Sequence, residues 1–306
     1  MITPEQRRAR LNHIGSSDAP AIVGVDPYRT AYDVWAEKRG LVAGFAGNAW
    51  TEAGAYCEDA ILDWLSMKLD KSISRDISLV DADGVLAANL DGLVLDDARP
   101  ALVEAKLVGI ASGVPGDEWG DPQAGVDGVP KGVLVQTHHA IAVSREQADL
   151  PTLTRIIVPA LIVTRGFVRY EFEVNEHLVD AVRTAGREFY TQYVDSGVAP
   201  PESIPSTDTI KRMMRAPNKV VPVDTALVAN WLKTKAEAAR ASEQAEAVRD
   251  AMLASLGDAE AGECELGRIE YQEQSRKEYT VPASTYRVLR FKKPKAGVPA
   301  ITHHKE

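Results

Sequence analysis

The chain has 306 residues, of which 45% are hydrophobic and 26% charged, with a formal net charge of −9. That length and composition fit a globular protein of one large or two smaller domains and exclude a disordered or fibrous chain. The acidic balance argues against a protein that coats nucleic acid non-specifically, yet it leaves room for a local basic channel, and carboxylates clustered to bind divalent cations would themselves shift the balance this way.

Only Cys57 and Cys264 are present, which offers neither a disulfide framework nor zinc-ligand spacing and fits a reducing cytoplasm. No run approaches the roughly 18 apolar residues of a membrane span, and the N-terminus has no apolar signal region. The expectation is a soluble cytoplasmic protein with no membrane partner.

In chain order, a polar start leads into "HIGSSDAPAIVGVDPYRT". Asp18, or a serine before it, is placed to cap a short helix through Val23. A second helix runs to Gly40, a C-cap residue. From Ala49 to Leu69, Tyr56, Ile61, Leu62, Leu65 and Leu69 recur at helical spacing, which predicts an amphipathic helix. "ISLVDADGVLAANLDGLVLDD" and "PALVEAKLV" then read as neighbouring strands with turns at "DADG" and "DDARP". Residues 109–130 are rich in Gly and Pro without periodicity, the signature of a functional or disordered loop.

"KGVLVQTHHAIAVS" predicts a helix, "RIIVPALIVTRGFVRYEFEV" a strand pair turning at "TRG", and "NEHLVDAVRTAGREFYTQYVDSG" a long helix capped by Asn175. This order gives a mixed α/β domain over residues 1–201, a central mixed β-sheet flanked by helices. Residues 202–224 read as a linker. Residues 225–300 read as a C-terminal extension: an Ala- and charge-rich helix followed by a small hairpin, from "GRIEYQEQ" onward, with a basic end. The helix carries a thin seam of Leu227, Trp231, Ala238, Ala245, Val248 and Met252, which packs on its own domain or leaves room for an oligomer contact.

The stretch "ALVEAKLV" sets the chemical question. Alternation along a strand puts Glu104 and Lys106 on one face and Val103, Ala105 and Leu107 on the other. An isolated Glu-x-Lys is also what an edge strand with a surface ion pair looks like. Asp91 lies at the end of the preceding strand, where pairing could bring it beside Glu104. Two close carboxylates raise each other's pKa unless a cation lies between them, and Mg²⁺ suits oxygen ligands and phosphate. Such an ion polarises a scissile phosphate, and Lys106 could hold the attacking water or stabilise developing charge.

In "GSSD" the serines and aspartate are common caps, while a helix N-terminus with free N–H groups also suits a terminal phosphate. His138 and His139 are adjacent on a helix and point in different directions, so they do not share a metal; surface or groove-lining positions are expected for both. Trp119 is expected to pin its loop rather than stack on a base, and Cys57 to act as a small packing residue.

The blocks "HIGSSDAPAIVGVDPYRTAYDVW", "GAYCEDAILDWL", "ANLDGLV", "VEAKL" and "VQTHHAIAVS" occur in an order that resembles the YqaJ-like viral recombinase family, of the lambda-exonuclease type within the PD-(D/E)xK nucleases. The resemblance covers Arg10 to Pro201. It implies a PD-(D/E)xK nuclease core and a Mg²⁺-dependent exonuclease, with Mn²⁺ substituting, that degrades one strand of duplex DNA from the 5′ end and leaves a 3′ single strand for recombination.

By motif position the resemblance makes Asp91 and Glu104 the principal metal ligands, with the Ala105 carbonyl as a further one, and Lys106 the water-activating lysine. Glu58 serves a second metal or its hydration shell, and Gln136 orients the lysine or the nucleophile. Arg10 and Ser17 fall where 5′-phosphate contacts lie. The family often has Ser-Pro before the aspartate, whereas Asn89 and Leu90 stand here; Asn89 keeps a side chain able to contact phosphate. The implied partners are double-stranded DNA ends, further copies of the chain in a ring, and a single-strand annealing protein. An endonuclease on the same core and a non-catalytic DNA-end-binding scaffold are the alternatives.

Overall fold

The computed structural model describes residues 11–43, 47–95, 98–109, 119–201, 203–214, 216, 219–273 and 275. The chain divides into two units, Met1–Arg215 and Ala216–Glu306.

The first unit is a mixed α/β fold with two sheets. Strand β1 (Ile14–Gly15) leads into the one-turn helix α1 (Ala19–Ile22), and Thr30 caps α2 (Ala31–Lys38) through a reciprocal capping box with Asp33. Asn48 caps the long helix α3 (Ala49–Leu69). Strands β2 (Ile77–Val80) and β3 (Leu86–Leu90) pair antiparallel, and β1 lies parallel to β3 on its other edge. The next strand, β4 (Gly92–Val94), follows after the single residue Asp91 but belongs to the second sheet.

That second sheet is built from β4, β5 (Ala101–Val103), β6 (Lys106–Val108), β7 (Arg155–Ile162) and β8 (Gly166–Glu173). β4 is antiparallel to β5, β5 and β6 both run parallel to β7, and β8 closes the far edge antiparallel to β7. Helix α4 (Lys131–Ser144) precedes β7, and α5 (Glu176–Phe189), capped by Asn175, continues as a π-helical turn over Tyr190–Asp195.

Helices cover both faces of the second sheet, as its apolar runs require. Leu62 and Leu65 of α3 pack on Val94, Ala101, Val103 and Ile157. On the other face Ala140, Ile141 and Val143 of α4 share the main core with Leu102, Ile156 and Val158. Tyr56, expected on the apolar stripe of α3, is 78% exposed. It lies nine residues before Leu65, two and a half turns away, and so faces the opposite side.

The expected linker over 202–224 is not all linker. Ser206 caps a short helix, α6 (Thr207–Arg212), and donates its backbone N–H to Asp33 Oδ1 at 2.8 Å. Arg212 pairs with Glu37 at 3.0 Å, and Val42 bridges Met213. Polar contacts to α2, invisible in local composition, hold this segment on the first unit.

In the second unit, α7 (Thr225–Leu256) is followed by a hairpin of β9 (Ala261–Cys264) and β10 (Gly267–Glu270). The chain reverses at Glu265 and Leu266, and Gly267 opens β10 opposite Cys264; the return strand of the hairpin expected from Gly267 onward lies outside the described residues. The expected basic end falls outside the described residues. Among the described residues no helix is long and apolar enough to cross a membrane.

Candidate active site

The site forms where the second sheet is interrupted. β5 and β6 keep one register against β7, with Val103 opposite Ile157 and Lys106 opposite Ala160. Glu104 donates its backbone N–H to the Ile157 carbonyl at 3.1 Å. The reciprocal bond would come from residue 159, which is a proline without an N–H, so the ladder breaks at Glu104 and Ala105. The single strand expected over "ALVEAKLV" is therefore two short strands, although Glu104 and Lys106 still share a face.

On the other edge, Gly92 stands opposite Val103, which carries Asp91 to the position opposite Glu104. β3 has by then left for the first sheet, and Asp91 Oδ2 accepts the free Ala105 N–H at 2.8 Å. A side-chain carboxylate thus takes the place of a missing strand partner.

Glu104 is only 3% exposed. Its Oε1 accepts from Lys106 Nζ at 2.6 Å and from Gln136 Nε2 at 2.6 Å, while Gln136 Oε1 accepts from Lys106 at 3.0 Å. Gln136 reaches the strand from α4, whose apolar residues fix that helix on the same sheet face. These bonds leave Glu104 Oε2 and Asp91 Oδ1 without a hydrogen-bond partner among the described residues.

Electrostatics mark the same place. Burial, then the charge of Glu104, push the Asp91 carboxyl up to about 8, with Lys106 partly opposing. Glu58 is also raised, by burial first and Glu104 next. Burial would lower Lys106, but Glu104 and Asp91 outweigh it and hold its ammonium above the ordinary value.

Glu58 stands on α3 at a groove of about 270 Å³ that it lines together with Arg75, Ser78, Asn89 and Asp91. Asn89 Oδ1 accepts from Ser78 at 2.9 Å. Arg75, not singled out by any sequence signal, reaches Asp59 at 3.1 Å and Asp63 at 2.5 Å. A lone arginine in the loop between α3 and β2 carries no periodic or motif signal.

The donor set fits a hard divalent cation: two close carboxylates with free oxygens, and backbone carbonyls at a broken strand. Mg²⁺ is commonly held by one or two carboxylates, with water and phosphate completing the shell. Among the described residues no group of three or more His, Cys, Asp or Glu is poised to hold a metal, so Glu58 does not join Asp91 and Glu104 in a preformed cage.

The N-terminal turn is braced rather than capped. Asp18 makes no cap bond to α1; it takes the Gly15 N–H at 3.0 Å, Lys38 at 2.5 Å and Arg29 at 3.0 Å. Burial opposes its charge, but Lys38 and Arg29 hold its pKa far below the usual carboxylate range. Ser17 is exposed, and its carbonyl accepts from Arg29 at 3.2 Å. Arg10 lies outside the described residues.

The two histidines are buried, not at the surface or in a groove. His138 Nδ1 donates to the Leu134 carbonyl at 2.7 Å and its Nε2 accepts the Asn175 N–H at 3.1 Å; His139 Nδ1 lies 3.2 Å from Ser16 Oγ. Each ring thus has a polar partner inside the core, which its sequence position could not reveal. Trp119 is buried against Tyr170, and its carbonyl accepts from Arg165 at 2.7 Å, which ties down the described end of its loop. Residues 110–118 of that loop lie outside the described residues.

Comparison with known proteins meets this geometry. Residues 5–147 match the YqaJ-like viral recombinase domain. The matched stretch contains every candidate site residue, from Arg10 through Asp91, Glu104 and Lys106 to Gln136. The uncharacterized protein YqaJ of Bacillus subtilis (strain 168) is 26% identical over 196 residues. That alignment takes in 62% of this chain and 56% of the relative, so the chain spans about half of that protein's length.

Among solved structures, an alkaline exonuclease from Laribacter hongkongensis is similar at a TM-score of 0.48 and 14% identity, over 64% of this chain and 94% of that one. A phage related exonuclease from Haemophilus somnus 129PT is similar at 0.45 and 11%, over 60% and 96%. At this distance neither likeness assigns a role to a residue here.

Proposed function

We propose that the chain is a Mg²⁺-dependent deoxyribonuclease with a PD-(D/E)xK core that degrades linear duplex DNA from its 5′ ends and leaves 3′ single strands for recombination. The observation that carries this reading is the cluster of Asp91, Glu104, Lys106 and Gln136 at the sheet break, within a stretch that matches the YqaJ-like domain.

Asp91 and Glu104 would hold the ion with the Ala105 carbonyl, Glu58 would approach it from α3, and Mn²⁺ would substitute. When bound, the ion supplies Lewis-acid polarisation of the phosphate and a more acidic attacking water. Lys106 is an ammonium, so it donates: it orients the water and stabilises negative charge as it develops. Gln136 sets the rotamers of Glu104 and Lys106 through its two bonds. Arg10, Ser17 and Asn89 would contact the 5′ phosphate, and the braced turn from Gly15 to Asp18 would keep Ser17 in place.

A ring of copies would keep the enzyme on its duplex, and an annealing protein would receive the 3′ strand. The proposal predicts that Glu104→Ala removes cleavage while the fold persists by circular dichroism; full activity in that variant would refute the site. Equal digestion of 5′-phosphorylated and 5′-hydroxyl duplexes, unaffected by Arg10→Ala, would refute the terminal-phosphate contacts.

A further inference from the structure

Helix α7 runs from Thr225 to Leu256, 32 residues, and none of them is buried. A helix of that length with no fully buried residue draws little of its stability from tertiary packing among the described residues, and a partner along it would add to what propensity and side-chain pairs supply. One row of its apolar residues is periodic, beside a second set at Val228, Leu232, Leu253 and Leu256. Leu227, Trp231, Ala238, Ala245, Val248 and Met252 fall on a repeat of 3.5 residues, the period of a seam between two helices. Leu227 and Val248 are 63% and 70% exposed. The bulk sits at the two ends and alanines occupy the middle, where two backbones can come close.

Charge chooses the occupant and its direction. The half from Thr225 to Arg240 carries Lys233, Lys235 and Arg240 against Glu237; the half from Ala241 to Leu256 carries Glu243, Glu246 and Asp250 against Arg249. One half is therefore net positive and the other net negative by the same amount. A second copy laid antiparallel sets each half on its opposite, and the two helix dipoles also oppose. A parallel copy would set like on like.

We propose that α7 pairs with α7 of a second copy of this chain, antiparallel and centred between Ala239 and Arg240, so that Leu227 of one copy meets Met252 of the other and Trp231 meets Val248. The pairing rests on α7 alone and stands apart from the nuclease reading.

The test uses the full chain with Cys57→Ser and Cys264→Ser in two versions, one also carrying Leu227→Cys and the other Met252→Cys. At 1.5 Å per residue, this pairing keeps the two copies of residue 227 roughly 37 Å apart. Neither version alone should form a disulfide-linked dimer, whereas their mixture should. A homotypic disulfide in either version, or none in the mixture, overturns the proposal.

Sedimentation equilibrium gives a second readout, with helicity checked by circular dichroism. Lys233→Glu with Lys235→Glu should weaken self-association roughly tenfold or more. Adding Glu243→Lys and Glu246→Lys should restore it by reversing both halves. A monomeric parent protein, or association indifferent to the reversal, also overturns the proposal.

Discussion

Protonation of His139 should destabilise the fold by an amount that one substitution exposes. The ring is completely buried, and burial lowers its pKa from 6.5 to about 4. An unfolded histidine binds its proton near pH 6.5, so between those values the unfolded state holds more protons and stability falls as pH falls. At pH 7.5 the contribution is intact; integrating to pH 5 removes about 2 kcal/mol.

Other groups titrate over the same range. Asp91, raised to about 8, works in the opposite direction, since its folded form takes up a proton as pH falls below that value. The informative quantity is therefore the difference between wild type and His139→Gln, which retains a polar partner for Ser16 but cannot ionise. Urea unfolding at both pH values should show wild type losing about 2 kcal/mol more than the variant between pH 7.5 and pH 5. Parallel behaviour of the two proteins would refute the reading of His139 as a buried neutral brace.

Two further outcomes follow from buried charges. Lys106→Met should lower the cleavage rate by about 10²–10⁴-fold, because it removes the cation bonded to Glu104, and single-turnover kinetics at saturating Mg²⁺ would measure it. Lys38→Met should destabilise the fold by about 3 kcal/mol, since it strips a partner from the buried Asp18 carboxylate; an unchanged urea midpoint would contradict that.

The helix over Lys131–Ser144 and the Asn175 cap were legible from periodicity and capping chemistry, which are local. So was the meeting of Glu104 and Lys106, which needs only strand alternation. The pairing of Asp91 with the Ala105 N–H depends on the β4–β5 register and on a chain that changes sheet at Asp91, which alternation alone does not encode. Pro159 breaks the strand from 55 positions beyond Glu104, a long-range cause with no local trace. The His139–Ser16 contact, separated by 123 positions, and the anchoring of α6 on α2 are of the same kind. Their sequence signals were ordinary, a surface-looking histidine pair and a Pro-rich linker, because the partners that reassign them lie elsewhere in the chain.

Metal-dependent digestion of DNA ends is open to a direct test. The direct measurement incubates the protein with a linear duplex labelled separately at each 5′ and 3′ terminus, and with a closed circle, in Mg²⁺ or in EDTA. A metal-dependent 5′ exonuclease releases the 5′ label from linear DNA early in Mg²⁺, leaves the circle intact and cleaves nothing in EDTA. Cutting of the circle, release from the 3′ end first, or binding without cleavage in Mg²⁺ would contradict it.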